Sequence, residues 1–479
     1  MENTVTFGLW SLLPPVLAIG LALLTRKVFV SLITGVVAGW IILLAGGGDI
    51  GAATVAVVTS AGNLRILAFT LVVGALIALI QANGGVAGFV ARVLGSLERA
   101  SDAASARGRR VRVELLAVAT GLVLFIESNI SILTVGTIYR PVFDRLGVPR
   151  EKLAYIADSS SAPSCILLPF NAWGAFIAGL LLEQGVRNGF GAVLSSIAYN
   201  FYPMLVIAGL VIVIVSGRDV GPMRRAEARG TLLRDGAVPM MGEDVAALEP
   251  KTGAPQRAVN MLVPIGVMVG MMPLMLVATG SGEGFARLQS GSGSLSVLVA
   301  VSVAVGVAVV MSVAQNILSA TRAGAVSVRG MRGMVPLAGL MLLAFLIGAV
   351  CRELGTGLYV AGLAEPWLSP ALLPALVFTI SAVVAFSTGT SWGTFAIMIA
   401  IAVPLAQSVG VPLPLAVAAA LGGGVFGDHA SPISDTSIIS SMASASDHID
   451  HVRTQLPYAL LAGAVTVAAY LVLGSVSHG

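Results

Sequence analysis

The run GDHASPISDTS, from Gly427 to Ser437, gathers two carboxylates, an imidazole, a proline and four hydroxyls inside chain that is otherwise apolar. Side-chain oxygens of this kind, joined by backbone carbonyls that an interrupted helix sets free, form a site suited to a hard cation such as sodium and unsuited to a soft metal. A carboxylate at membrane depth can be neutralised by a proton or by a cation, so it can exchange one for the other. Three other polar runs have a similar make-up: DSSSAPS (Asp158 to Ser164), FIESNIS (Phe125 to Ser131) and FSTGTSWG (Phe386 to Gly393). Asp158, Asp428 and Asp435 are therefore the candidates for holding sodium and proton, with Glu127 as a fourth acid. Ser159, Ser161, Ser431, Thr388 and Thr390 are the candidate hydroxyl ligands. The competing role is capping of half-helices, since an aspartate at a helix start accepts from backbone N–H groups; Asp428 and Asp435 could each serve that way.

A second cluster follows in SDHIDHVRTQLPY, which holds Asp447, His448, Asp450, His451 and Arg453. The spacing resembles a metal site, but at the end of a broken helix these groups are expected to form a gate or an ion-pair cluster. His429, beside Asp428, is a candidate pH sensor, ligand or hydrogen-bond partner.

What must position these groups is a membrane-embedded scaffold. The chain has 479 residues, 57% of them hydrophobic and only 10% charged, the composition of an integral membrane protein with helical spans. Apolar runs of spanning length lie near 7–25, 28–45, 62–81, 192–215, 258–278, 295–319, 334–350 and 456–475. The first lacks a basic flank or a small-residue cleavage site and reads as a retained span. Basic loops at Arg26–Lys27, Arg107–Arg112 and the Arg-rich segment 216–257 belong on the cytoplasmic side of the cell's inner membrane, which puts both termini outside. The net charge of +4 reports that orientation and not nucleic-acid binding. Cys165 and Cys351 sit in apolar surroundings and read as small buried residues.

Two segments break the simple count. Residues 113–139 have basic residues on both flanks, so a single crossing is excluded and a re-entrant hairpin with its tip at FIESNIS is expected. Residues 371–407 have no basic residue at either end and a polar middle at FSTGTSWG, which predicts a second hairpin entering from the other side. Each is followed by a long crossing expected to be broken at a polar spot: 153–182 at DSSSAPS, and 413–441 at GDHASPISDTS. The chain thus reads as two inverted repeats, 1–215 and 258–479, around a cytoplasmic linker at 216–257. Each repeat has three spans, a hairpin, a broken helix and a last span, an order that suits a secondary transporter. The fold class is all-α polytopic membrane protein, with about ten transmembrane helices plus two re-entrant hairpins.

The segment FGDHASPISDTSIISSMASASDHIDHVRTQLPYAL (Phe426 to Leu460) resembles the NhaC-type sodium/proton antiporter family. The resemblance extends to RPVFDRLGVPREKLAYIADSSSAP (Arg140 to Pro163), FSTGTSWGTFAI (Phe386 to Ile397) and LWSLLPPVLAIGLALLTRKV (Leu9 to Val28). It implies the architecture of the ion transporter superfamily: a homodimer of scaffold and transport domains with elevator-like movement, no cofactor, and sodium and proton as cargo. Where relatives commonly carry two acids at the first hairpin, FIDDY in pattern, this chain has FIESN, with one acid, Glu127, and an amide, Asn129. Members of the family are also thought to move dicarboxylates and amino acids. Asn129 and Asn171 could hydrogen-bond such a solute, so coupled transport of a small organic solute is the alternative to sodium/proton exchange. An enzyme is not expected: an intramembrane aspartyl protease uses paired acids, and no Tyr-Asp pair occurs in the chain.

Overall fold

A segment surrounded by lipid must satisfy its own backbone, so apolar runs of this length fold as helices. In the computed structural model of the chain they do. The structure describes residues 7–25, 27–89, 91–92, 106–240, 257–284, 287, 291–356, 359 and 369–476. The first half contains α1 (Leu13–Thr25), α2 (Val28–Ala45), α3 (Ile50–Thr59), α4 (Ala61–Ala82), α5 (Ala106–Val123), α6 (Ser128–Arg145), α7 (Arg150–Leu167), α8 (Ala172–Glu183), α9 (Gly189–Ser196) and α10 (Phe201–Ser216). After α11 (Gly221–Arg229) in the linker come α12 (Val259–Thr279), α13 (Gly293–Ala314), α14 (Ala320–Gly333), α15 (Val335–Glu353), α16 (Leu373–Thr388), α17 (Ser391–Val409), α18 (Leu413–Ala430), α19 (Asp435–Ser444) and α20 (His448–Val476). Residues 241–256 of the expected linker lie outside the described residues.

Eight described helices are long and apolar enough to cross a membrane, or nine when α7 and α8 count as one bent span, so the chain is a multi-pass membrane protein. That differs from the count of about ten. The first run opens as a 3-10 turn, Gly8–Leu12, ahead of Pro14 and Pro15, which leaves a shorter α-helix than its apolar length promised. Ser391–Val409, expected as one limb of a hairpin, is by itself long enough to span.

The interruption expected at Asp158–Ser164 is displaced. That run lies wholly inside α7, where Ser160, Ser161 and Ser164 donate their hydroxyls to the carbonyls of Ile156, Ala157 and Ser161 at 2.6–2.7 Å. Back-bonding of this kind lets a serine-rich stretch stay helical. The chain breaks one turn later, at Leu168–Asn171, because Leu168 precedes Pro169, a position that disfavours helix. Asn171 then caps α8, accepting from Gly174 N–H at 3.1 Å, and the axis turns by 44°.

The interruption in GDHASPISDTS falls where the sequence puts it. Helix α18 ends at Ala430 and α19 begins at Asp435. Neither acid is the N-cap residue of α19, however: Asp428 is in the last turn of α18, Asp435 is the first residue of α19, and Ser434 is the N-cap. Polar tips also form at both other expected places. Leu124–Glu127 separates α5 from α6, with Glu127 accepting from Ile130 N–H at 2.8 Å. Gly389, at φ 66°, turns α16 towards α17.

Close packing fixes these interruptions against one another. Gly427 and Gly423 bring α18 onto backbone carbonyls of α16, and Gly136 of α6 lies against Ala443 of α19. Both cysteines are buried free thiols. The described part of the linker lies across one end of the bundle. There Lys152 pairs with Asp219 at 2.6 Å, Arg229 with Glu151 at 2.9 Å and Arg234 with Asp450 at 2.9 Å.

Candidate functional site

The break between α18 and α19 faces the serine-rich turn of α7, and the two are joined by hydrogen bonds. Asp428 and Asp158 are both buried. Asp428 Oδ2 accepts from Ser391 Oγ at 2.6 Å and from Ser391 N–H at 3.2 Å, so the start of α17 holds one of its oxygens. Its Oδ1 accepts from Ser434 Oγ at 2.6 Å. Asp158 Oδ2 accepts from Ser437 Oγ at 3.1 Å and from Gln455 Nε2 at 2.7 Å. Ser437 N–H donates back to Ser434 Oγ at 3.5 Å, which closes a path from one carboxylate to the other through the first turn of α19. The remaining oxygen of Asp158, Oδ1, is buried and has no hydrogen-bond partner among the described residues.

Around this pair the side chains are hydroxyls, amides and imidazoles. His429 Nε2 shares a hydrogen with Ser159 Oγ at 3.0 Å and its Nδ1 with the Tyr202 hydroxyl at 2.8 Å. Gln455 Nε2 also donates to the His429 carbonyl at 2.7 Å. Ser161 donates to Ser131 Oγ at 2.8 Å and so ties α7 to α6. Ser431 donates to the Phe386 carbonyl at 2.6 Å, linking the break to the end of α16. Asn171 Nδ2 donates to the carbonyls of Phe125, Cys165 and Leu168 at 2.8–3.0 Å, so its donors hold the first tip against the bent span and it is not free for a solute.

Not every expected group joins the pair. Asp435 is exposed and bonds only its own neighbour's N–H, that of Thr436, at 2.9 Å. Thr388 donates to Val384 O within α16. Thr390 precedes α17 and makes no side-chain cap. Asn129 Oδ1, two residues from Glu127, is buried without a hydrogen-bond partner among the described residues. Among the described residues no group of three or more His, Cys, Asp or Glu is close enough to hold a metal ion. A shared three-aspartate cage is therefore not formed, and neither is a metal centre in the Asp447–His451 run.

That run is instead wired to the pair. His451 Nε2 meets Gln455 Oε1 at 3.0 Å, and Gln455 reaches Asp158. His448 and His451 share Ser441 Oγ at 3.0 and 2.9 Å, and His448 Nε2 lies 2.7 Å from the Pro432 carbonyl in the break. Asp447 accepts from Ile449 N–H, Asp450 N–H and Val238 N–H at 3.0–3.1 Å, so the linker is anchored here. Sequence reasoning missed Ser391, Ser434, Ser437, Gln455 and Tyr202. Ser434 and Ser437 lie inside the polar run, where weight went to the acids. Gln455 and Tyr202 carry no local signal, since their roles come from α20 and α10 packing beside the break.

Comparison with known proteins places the chain in a family. Residues 176–475 match the model of the Na+/H+ antiporter family. An uncharacterized protein of Haemophilus influenzae is 33% identical over 98% of this chain and 92% of its own length. Shorter similarities are to the arginine/ornithine antiporter ArcD of Halobacterium salinarum, 38% identical over 22% of each chain, and to the malate-2H(+)/Na(+)-lactate antiporter of Bacillus subtilis, 32% identical over 24% of each. The fold is shared with the Alcanivorax borkumensis YdaH transporter, with a TM-score of 0.57 and 13% identity over 88% of this chain and 86% of that one. With matched residues covering well over half its length, the chain belongs to the Na+/H+ antiporter family.

Proposed function

We propose that the protein is a secondary active sodium/proton antiporter in which Asp158 and Asp428 hold the exchanged ions. The observation that carries this is the buried carboxylate pair linked through Ser434 and Ser437, with Asp158 Oδ1 left open. Two carboxylates in so dry a setting need a neutralising charge, and among the described residues no Lys or Arg supplies one through a hydrogen bond or ion pair to either. A proton or a sodium ion meets that need, and the arrival of one releases the other. Asp435, at the start of α19 and bonded only to the Thr436 N–H, attracts the cation toward the pair.

The finer architecture belongs to the same proposal. Arg107 and Arg145, at the far ends of α5 and α6, line one common hollow, which supports a hairpin with both ends on one face. Two inverted repeats, elevator-like movement of the break-bearing helices, a homodimer, and an inner-membrane location with both termini outside complete the reading.

A second reading, coupled exchange of a small organic solute such as an amino acid or dicarboxylate, is favoured by Asn129 Oδ1, buried without a hydrogen-bond partner among the described residues. Uptake of radiolabelled sodium by proteoliposomes with an acidic lumen tests both. The proposal expects uptake without any added solute and its loss in Asp158→Asn. Uptake that requires an added amino acid or dicarboxylate favours the second reading.

A further inference from the structure

The ends of α5 and α6 that lie away from the Glu127 tip enclose a feature the exchange reaction does not use. Arg107, Arg109, Arg110, Arg145 and Leu146 line a hollow of about 430 Å³, and no carboxylate is among its lining residues. Nearby cations are matched: Arg150 with Asp144, Lys152 with Asp219, Arg229 with Glu151, and Arg110 with both Glu114 and Glu227. Arg107 is different, since it donates to the backbone carbonyl of Ser216 at 2.8 Å. Arg109 and Arg145 have no ion-pair or hydrogen-bond partner among the described residues. Three guanidinium groups without acids around one hollow repel one another, and an anion with several acceptor oxygens relieves that repulsion.

The chemistry of the hollow narrows the anion. A guanidinium fork matches the paired oxygens of a phosphate, which it binds bidentately. On the proposed reading α5 and α6 form a hairpin whose two flanks meet the membrane surface at headgroup depth, where phosphodiesters are the abundant anions. Leu146 gives the hollow one apolar wall, which suits the glycerol end of a lipid better than a fully hydrated ion. We propose that this hollow binds the phosphodiester headgroup of an anionic phospholipid. Its occupant bridges the start of α5 and the end of α6, and α6 carries Ser131, the hydrogen-bond partner of Ser161 in the turn that follows Asp158. Anionic lipid therefore braces the helix pair that backs the candidate site.

The test counts lipid retained by the purified protein, a readout that does not depend on which ion is transported. Protein delipidated in detergent is titrated with phosphatidylglycerol, with phosphatidylcholine and with inorganic phosphate, and bound lipid is measured by native mass spectrometry. The site variant is Arg107→Gln/Arg109→Gln/Arg145→Gln. The charge-matched control is Arg322→Gln/Arg329→Gln/Arg332→Gln on α14, whose three arginines are also exposed. The proposal expects phosphatidylglycerol affinity to fall by on the order of a hundredfold in the site variant, at about fivefold per arginine, with the control unchanged. Equal losses in both variants, unchanged binding in the site variant, or full competition by millimolar inorganic phosphate would each overturn it. If the triple variant does not stay monodisperse, the single variant Arg145→Gln is read in the same way, with about a fivefold loss expected.

Discussion

Ser391, the first residue of α17, donates its hydroxyl to Asp428 Oδ2 at 2.6 Å, so the carboxylate at the end of one helix is oriented by the start of another. The same Asp428 is bonded across the break by Ser434 at 2.6 Å. A carboxylate held from two elements keeps its position whether it carries a proton or a cation. Its replacement by alanine is a different experiment from its replacement by asparagine, which keeps the shape and loses the charge.

Ser391→Ala is predicted to weaken sodium coupling and leave the fold intact. Loss of one hydrogen bond to a charged group costs about 1.5–3 kcal/mol, or roughly ten- to hundredfold in the sodium concentration needed for half-maximal exchange. Sodium titrations of exchange rate in proteoliposomes check this, and Ser391→Thr, which retains the hydroxyl, is expected to recover most of the affinity.

Gln455 is predicted to be a positioning residue. Gln455→Leu removes the donor to Asp158 Oδ2 and to the His429 carbonyl, and leaves buried acceptors short of a partner. A cost of about 1–3 kcal/mol in stability follows, visible as a lower melting temperature in detergent. Added sodium is expected to restore part of that loss, because the cation gives the Asp158 carboxylate a partner in place of the lost amide N–H. An identical shift with and without sodium contradicts the assignment.

Much of this site was legible in the sequence. The polar runs pointed to Asp428 and His429 beside a helix interruption and to the two tips, because polar groups at membrane depth are costly unless something uses them, whereas Asp158 lies inside α7 and reaches the break between α18 and α19 through Ser437. The position of the first break was not legible. A stretch of four hydroxyls and a proline reads as a breaker, yet Ser160, Ser161 and Ser164 bond to their own helix, and the true stop is set by Pro169 one turn later. Asp435 was indistinguishable from Asp428 by composition, and only the fold separates the exposed acid from the buried one. Tyr202 and Gln455 could not be found from local pattern, since each reaches the site from a helix distant in sequence.

The glycine-mediated contact of α18 on α16 gives a packing prediction. A Cβ at Gly427 would meet the Ala382 carbonyl and the Ala385 side chain. Gly427→Val is expected to destabilise by about 1–3 kcal/mol and to displace the adjacent Asp428, lowering exchange as well as melting temperature. Gly266→Ala on α12 is the control, since nothing lies within 4 Å of a Cβ there.

The buried Lys152–Asp219 pair tests how firmly the linker is anchored. Lys152→Met leaves Asp219 without its cation, and the expected loss is about 3–5 kcal/mol. The double variant Lys152→Met/Asp219→Leu is expected to recover most of it, by the same reasoning that makes paired apolar replacements tolerable. Thermal unfolding of the two variants side by side measures the difference.

The linker also carries a pH dependence outside the membrane. Partial burial works to raise Asp447, but the N–H groups of Val238, Asp450 and Ile449, and then Arg234, outweigh it and hold the carboxyl below its usual range. A lowered folded-state value means that this stabilisation is present above about pH 4, the unfolded range for aspartate, and is lost as pH falls through the lower folded value. Hydrogen exchange at Val238 and Met240, corrected for the intrinsic rate, is predicted to accelerate only under such acid conditions. In Asp447→Asn that acid-dependent step disappears.

Exchange of sodium for protons is expected at the carboxylate pair. Purified protein in liposomes with an entrapped pH dye and an acidic lumen is pulsed with sodium, lithium and potassium, and the run is repeated with Asp428→Asn and Asp158→Asn. The prediction is a sodium-driven alkalinisation of the lumen that falls by at least about a hundredfold in each variant, while both variants remain folded and monodisperse. A wild-type protein that shows no pH change with any of the cations, or variants that exchange as fast as the wild type, would contradict the claim that Asp158 and Asp428 exchange sodium for protons.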